Sequence, residues 1–176
     1  GSDISKKNLK ILSNAKIENI HIIGRRGPKE AKFTISELRE FKDINDFSIK
    51  FKYPRELLKN FIDDETIDTR VKKNLEVFNE FYDNDKKSKE IIFDFFKSPI
   101  EIIGNQKVEG IKLKDQNGDT HNIQTNLIIK AIGYKATSIG NLKMDETNNY
   151  LFNIEGHINN NIFTTGWASS PSVGVI

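Results

Sequence analysis

Two adjacent arginines, Arg25 and Arg26, follow the apolar run Ile20-His21-Ile22-Ile23 and stand between Gly24 and Gly27. Only five of the 27 basic residues are Arg, the others being Arg39, Arg55 and Arg70. In a chain that otherwise uses Lys, Arg marks a place that needs a planar fork, to hold a phosphate through two parallel hydrogen bonds or to stack on an adenine ring. In nucleotide-binding α/β domains the end of the second strand is where an acid selects NAD, or an Arg accommodates the 2′-phosphate of NADP. Arg25-Arg26 at such a strand end reads as an NADP signal. Its usual companion, a G-x-G-x-x-G/A turn about twenty residues upstream, is not present in the residues before Ile20. On the turn alone, a solvated basic surface is the competing reading.

Other candidates carry alternatives of their own. Thr34-Ile35-Ser36-Glu37 spells a helix capping box, so Glu37 is most simply the cap partner of Thr34, and otherwise an acceptor for a ribose or a nearby Arg. Trp167, the sole Trp, lies between a strand end and a Ser/Pro/Gly turn, where it serves either as core or as a platform for a flat cofactor. Arg70, Lys72 and Lys73 fall on the polar face of a helix, where solvation is the ordinary role. His21, His121 and His157 are far apart and have no ligand-spaced partner, so no metal site is expected. No G-x-S-x-G elbow is present, and no acid or base is singled out as catalytic. With zero Cys, disulfides, thiolate metal sites and Cys nucleophiles are excluded.

The elements that must position these residues follow from periodicity. A helix over Asn8–Lys16 leads into a strand at Ile20–Ile23; Pro28 suits a turn or a first helical position. A helix is expected over Ile35–Lys42, and residues 43–84 read as helical, with Leu57, Leu58, Phe61 and Ile62 on one helix and Val71, Leu75, Phe78 and Phe81 on a second, together an inserted pair. From Ile91 the period becomes strand-like. Strands are expected at Ile91–Phe96, Ile100–Ile103, Val108–Leu113, Thr120–Ile123, Leu127–Ile132 and Ile162–Thr165, with Asn117-Gly118 as a hairpin turn and residues 135–160 irregular. The net charge of +2 gives no electrostatic case for nucleic acid, and no apolar run approaches the roughly 18 to 20 residues that span a bilayer. The opening Gly-Ser resembles an expression scar, and the apolar residues at the far end suggest a domain cut short at both ends.

Four motifs in order resemble one family, the adrenodoxin-type ferredoxin–NADP reductases, FAD enzymes of the glutathione-reductase-like fold. Ile22-Ile23-Gly24-Arg25-Arg26-Gly27-Pro28, with Ala31 and Phe33-Thr34-Ile35-Ser36-Glu37-Leu38-Arg39-Glu40, resembles V-G-R-R-G-P…A-F-T-I-K-E-L-R-E. Phe95-Phe96-Lys97-Ser98-Pro99 resembles F-F-R-S-P, Ile132-Gly133-Tyr134-Lys135 resembles I-G-Y-K-S, and Gly166-Trp167 with Gly174-Val175-Ile176 resembles G-W-V-K-R-G-P-T-G-V-I. The resemblance implies an α/β, three-layer dinucleotide-binding NADP domain, truncated at both ends and carrying a helical insertion. It divides the chain into a tag remnant and helix end (1–17), the NADP-binding domain (18–135) and a connection re-entering the FAD domain (136–176).

The same resemblance implies cofactors and partners. Arg25 and Arg26 would hold the NADP 2′-phosphate and Glu37 would also touch NADP, while Trp167, Gly174, Val175 and Ile176 would meet FAD. Arg39, joined by Arg70, Lys72 and Lys73, would face a small acidic [2Fe-2S] ferredoxin. The parent would be an NADPH-dependent oxidoreductase, mitochondrial and compatible with a peripheral membrane association, of unstated oligomeric state; this stretch alone would lack turnover. A different flavin-dependent NADPH oxidoreductase of the same fold, or a non-catalytic nucleotide-binding piece, are the alternatives. Ser169-Ser170-Pro171-Ser172-Val173 departs from the family's Lys-Arg-Gly-Pro-Thr, removing two cations beside the flavin edge.

Overall fold

Alternation and apolar runs along the first 95 residues build one parallel sheet. The computed structural model describes residues 4–133, 137, 139–145, 147 and 150–170. Strands β1 (Asn19–Gly24), β2 (Phe47–Lys52) and β3 (Lys89–Phe95) run parallel in the order β1-β3-β2. Ile22 on β1 and Phe51 on β2 both pair with Phe93 of β3. Because side chains alternate across a strand, Ile49, Phe51, Ile91, Phe93 and Phe95 enter one core, while Ser48, Lys52, Ile92 and Asp94 occupy the opposite face.

Strand β2 corrects the expectation of continuous helix from Asp43. Its sequence Phe-Ser-Ile-Lys-Phe-Lys has a two-residue period, with apolar residues facing inward, and a helix would have scattered those three around its circumference. The two expected helices are found beyond it, as α3 (Arg55–Asp63) and α4 (Thr69–Glu80), in the connection from β2 to β3. Helix α4 buries Leu75, Val77 and Phe78 against the sheet. Phe78 stacks on Phe51 at 4.7 Å and Phe81 on Phe93 at 5.6 Å, with Phe33 and Phe41 edge-on around them. Such offset and edge contacts add to area burial through the ring quadrupoles.

The outer edge of β2 is closed by a side chain. Asn84 accepts from the Ile49 N–H at 2.8 Å and donates to the Ile49 carbonyl at 2.6 Å, imitating a neighbouring strand. Beside it, Arg55 grips Asp83 with both terminal nitrogens at 2.8 and 2.5 Å, donates to Asn79 at 3.1 Å, and lies over the Tyr82 ring. Tyr82 donates its hydroxyl to the Tyr53 carbonyl. These bonds tie the start of α3 to the end of α4.

The remaining elements arise from local signals. Helix α1 (Lys6–Ser13) starts at an N-cap Ser5 and buries no side chain. Pro28 opens a short 3₁₀ turn, Pro28–Glu30. Strands β4 (Ser98–Ile103), β5 (Gly110–Lys114) and β6 (Thr120–Gln124) form an antiparallel meander. Its Asn117-Gly118 turn is held by Asp115, whose carboxylate accepts from the Asn117 and Asp119 N–H groups at 2.9 and 3.0 Å.

The chain divides into two compact units, Gly1–Leu127 and Ile128–Ile176. The apolar run Leu127–Ile132, expected as a buried strand, lies outside every described strand, with Ile129 78% exposed. A fully apolar strand needs covered faces and paired backbone, and the described residues supply neither. The second unit contains short strands where irregular chain was expected, β7 (Met144–Asp145) with β8 (Tyr150–Leu151) and β9 (His157–Asn159), the last pairing with β10 (Ile162–Phe163), which falls on the strand expected at Ile162–Thr165. Among the described residues no helix is long and apolar enough to cross a membrane.

Candidate functional site

The carboxyl ends of β1 and β3 bring two of the sequence motifs together. Gly24 pairs in register with Phe95, and the ladder continues past both strands. The Lys97 N–H donates to the Gly24 carbonyl at 3.0 Å and the Phe96 N–H to the Arg26 carbonyl at 3.3 Å. Both glycines of the turn permit close approach. A Cβ on Gly24 would stand 2.7 Å from Phe95 Cδ1, and one on Gly27 2.6 Å from Phe96 Cζ. Arg25 and Arg26 are exposed between them, and neither guanidinium has a hydrogen bond or ion pair among the described residues. Two free cations on a rigid turn, at the end where parallel sheets hold ligands, can grip a dianion.

Glu37 occupies the N3 position of α2 (Ile35–Glu40), and the capping box is complete. Its Oε2 accepts from the Thr34 N–H at 2.9 Å and from the Thr34 hydroxyl at 2.7 Å. The Thr34 side-chain bond, reinforced by the backbone bond, holds the Glu37 carboxyl below the usual carboxylate range. The cap role expected from the sequence is therefore present, and Glu37 is ionised and exposed.

Arg39 lies in the last turn of α2, with Arg70, Lys72 and Lys73 in the first turns of α4, a helix packed on α2. Arg39, Arg70 and Lys73 are exposed and Lys72 is half-buried. The N-cap Asp68 accepts from the Arg70 N–H at 2.8 Å, so that residue's backbone is committed while its guanidinium faces out. In the second unit, Trp167 sits in a 3₁₀ turn, Gly166–Ala168, and is 40% exposed, which excludes a purely core role. Gly174, Val175 and Ile176 lie outside the described residues, as do Tyr134 and Lys135.

A cleft of ≈ 700 Å³ that the motifs did not announce opens at the carboxyl ends of β2 and β3, where Lys52, Tyr53, Asp94, Phe96, Lys97 and Asp115 are among its walls. It is electrically balanced. Lys52 Nζ lies 3.1 Å from the buried Asp94, and Lys97 Nζ lies 3.6 Å from Asp115. The alternation in β2 was the sequence signal that would have placed Lys52 there. His21, on the same sheet face, has a buried Nδ1 without a hydrogen-bond partner among the described residues. Burial first, and the Lys52 cation second, lower its pKa below the ordinary histidine value. Among the described residues no group of three or more His, Cys, Asp or Glu is placed to hold a metal ion.

No protein-family model matches the chain. It is 30% identical to "NADPH-ferredoxin reductase FprA" of Mycobacterium tuberculosis over 99% of its own length and 42% of that protein's. It is 33% identical to the Mycobacterium leprae protein of the same name, with the same coverage. A "Probable NADPH:adrenodoxin oxidoreductase, mitochondrial" of Schizosaccharomyces pombe is 28% identical over 99% of the chain and 43% of that protein. The relatives thus include bacterial and mitochondrial proteins, and the chain spans about two fifths of their length. The solved structure of Mycobacterium tuberculosis FprA in complex with NADPH superposes with a TM-score of 0.82 at 30% identity, over 98% of this chain and 42% of that one. In sequence and in α/β fold, the chain matches part of the NADPH-ferredoxin and adrenodoxin reductases along nearly its whole length, bearing out the resemblance its motifs carry.

Proposed function

We propose that this chain supplies the NADP-binding part of an FAD-dependent reductase that passes electrons from NADPH to a small acidic [2Fe-2S] ferredoxin. The observation that carries this reading is the Arg25-Arg26 pair, exposed and without partners among the described residues, on a turn clasped at the carboxyl end of a parallel strand. The guanidiniums would hold the 2′-phosphate, and Glu37 would accept from a ribose hydroxyl with the oxygen not used in its cap. In this reading residues 18–135 form the NADP-binding region and 136–176 the connection toward FAD. Trp167 would offer its exposed ring to that cofactor, with Gly174, Val175 and Ile176 beside it. FAD, when bound, supplies the conversion from a two-electron hydride donor to a one-electron acceptor. The residues of this chain contribute binding and orientation.

Arg39, with Arg70, Lys72 and Lys73, would meet the acidic partner, steering its approach electrostatically. A mitochondrial location is carried by the resemblance to the adrenodoxin-type branch alone. The test is kinetic. Charge-assisted bonds to phosphate contribute roughly 1.5 to 3 kcal/mol each, so Arg25→Ala with Arg26→Ala in the complete reductase should raise the NADPH KM more than about tenfold and leave NADH use little changed. Equal loss with both nucleotides would refute the assignment.

A further inference from the structure

The turn bearing Arg25 and Arg26 is held from one side by Phe96, whose own backbone is in an unfavourable conformation. Phe96 has φ +58°, the left-handed region, which a bulky non-Gly residue occupies only when its surroundings fix it there. Three contacts do so. Its N–H donates to the Arg26 carbonyl at 3.3 Å, the next N–H donates to the Gly24 carbonyl at 3.0 Å, and its ring lies against Gly27. Behind the ring stands Tyr53, with centroids 5.9 Å apart, and behind that Phe61 at 6.5 Å. Tyr53 is fixed in turn by the hydroxyl of Tyr82 on its carbonyl.

These contacts leave the two guanidiniums free while fixing the backbone that carries them. A site whose Cα positions are set in advance loses only side-chain freedom when it closes on a ligand. Strained backbone next to a site is a recurring sign of such pre-organisation. The geometry points to Phe96 as a positioning residue for the Arg25-Arg26 phosphate grip, setting the preference for a 2′-phosphorylated adenine nucleotide over its unphosphorylated counterpart. The inference rests on the 2′-phosphate reading proposed above and adds to it a residue that touches no ligand.

The experiment titrates 2′-phospho-AMP and 5′-AMP into the protein and into three variants, and compares the ratio of the two affinities. Phe96→Gly removes the ring while accepting the left-handed backbone. Gly27→Ala instead drives a Cβ into the ring and serves if Phe96→Gly does not fold. Arg25→Ala with Arg26→Ala removes the grip itself. Displacements of about 1 Å at a binding group cost up to two orders of magnitude, so the Phe96 and Gly27 variants should each lose at least about fivefold of the 2′-phosphate preference, with 5′-AMP affinity unchanged. A merely structural role would weaken both ligands together and leave the ratio as it was, which overturns the inference. If the double Arg variant keeps the wild-type ratio, or the wild type shows no preference, the 2′-phosphate reading itself fails and this inference with it. If the Arg variant alone loses the ratio, that reading stands and Phe96 has no part in it.

Discussion

The ion pair between Lys52 and Asp94 gives an asymmetry that unfolding experiments should reveal. Asp94 is 4% exposed, whereas the Lys52 side chain is 41% exposed, and their charged atoms stand 3.1 Å apart. Removing the cation by Lys52→Met leaves a carboxylate buried on the sheet face with no counter-charge. Breaking a fully buried pair this way costs about 3 to 5 kcal/mol. Since half of this pair reaches water, screening lowers the expected cost to about 2 to 3 kcal/mol. Removing the anion by Asp94→Leu has a different consequence, because the freed ammonium can turn to solvent while Leu adds apolar contact beside Ile92. That change should cost about 1 kcal/mol or less. Lys52→Met with Asp94→Leu should be closer to Asp94→Leu than to the sum of the two changes, since no buried charge remains. Urea unfolding of the four proteins, read as a double-mutant cycle, measures this. If Asp94→Leu proves as damaging as Lys52→Met, the argument from unequal exposure is wrong.

Two further outcomes can be measured on the same chain. Tyr82 is pushed up to about 12, chiefly by burial; its folded value exceeds the unfolded one near 10, so the folded state binds the extra proton in between and stability should decline as pH rises from 10 toward 12. Tyr82→Phe should flatten that decline in thermal unfolding followed against pH, and an unchanged slope would remove Tyr82 as its source. Thr34→Ala deletes the acceptor of the Glu37 N–H and the donor to its carboxylate, and should destabilise by about 1 kcal/mol. An equal loss from Glu37→Gln, which keeps a reciprocal acceptor, would show that the carboxylate charge and not the cap geometry is what matters.

Much of the fold is written locally in the sequence. The capping box at Thr34 and Glu37, Pro28 at the head of a turn, the apolar stripe of α4 and the Asn117-Gly118 hairpin each depend on backbone chemistry within a few residues. Elements whose assignment depends on what lies opposite are not legible in this way. Phe47-Ser48-Ile49-Lys50-Phe51-Lys52 carries the two-residue alternation of a strand, yet the helical stripes that follow it drew it into their period. Leu127–Ile132 has the composition of a strand covered on both faces, and composition does not say whether a cover is present.

The candidate site divides the same way. That Arg25-Arg26 ends a strand between two glycines was determined by the sequence, because a rare residue type, a β-branched run and flanking Gly are all local facts. That Phe96 and Lys97 clasp this turn, 70 residues away, was decided by the parallel pairing of β1 with β3, which sets Gly24 opposite Phe95. Nothing in Phe-Phe-Lys-Ser-Pro declares that register, nor that Lys52 would meet Asp94 beyond it. Parallel strands must be joined by long crossovers, so their partners are remote in sequence by construction. Chain order supplies each strand's chemistry, and only tertiary packing decides which ends share a site.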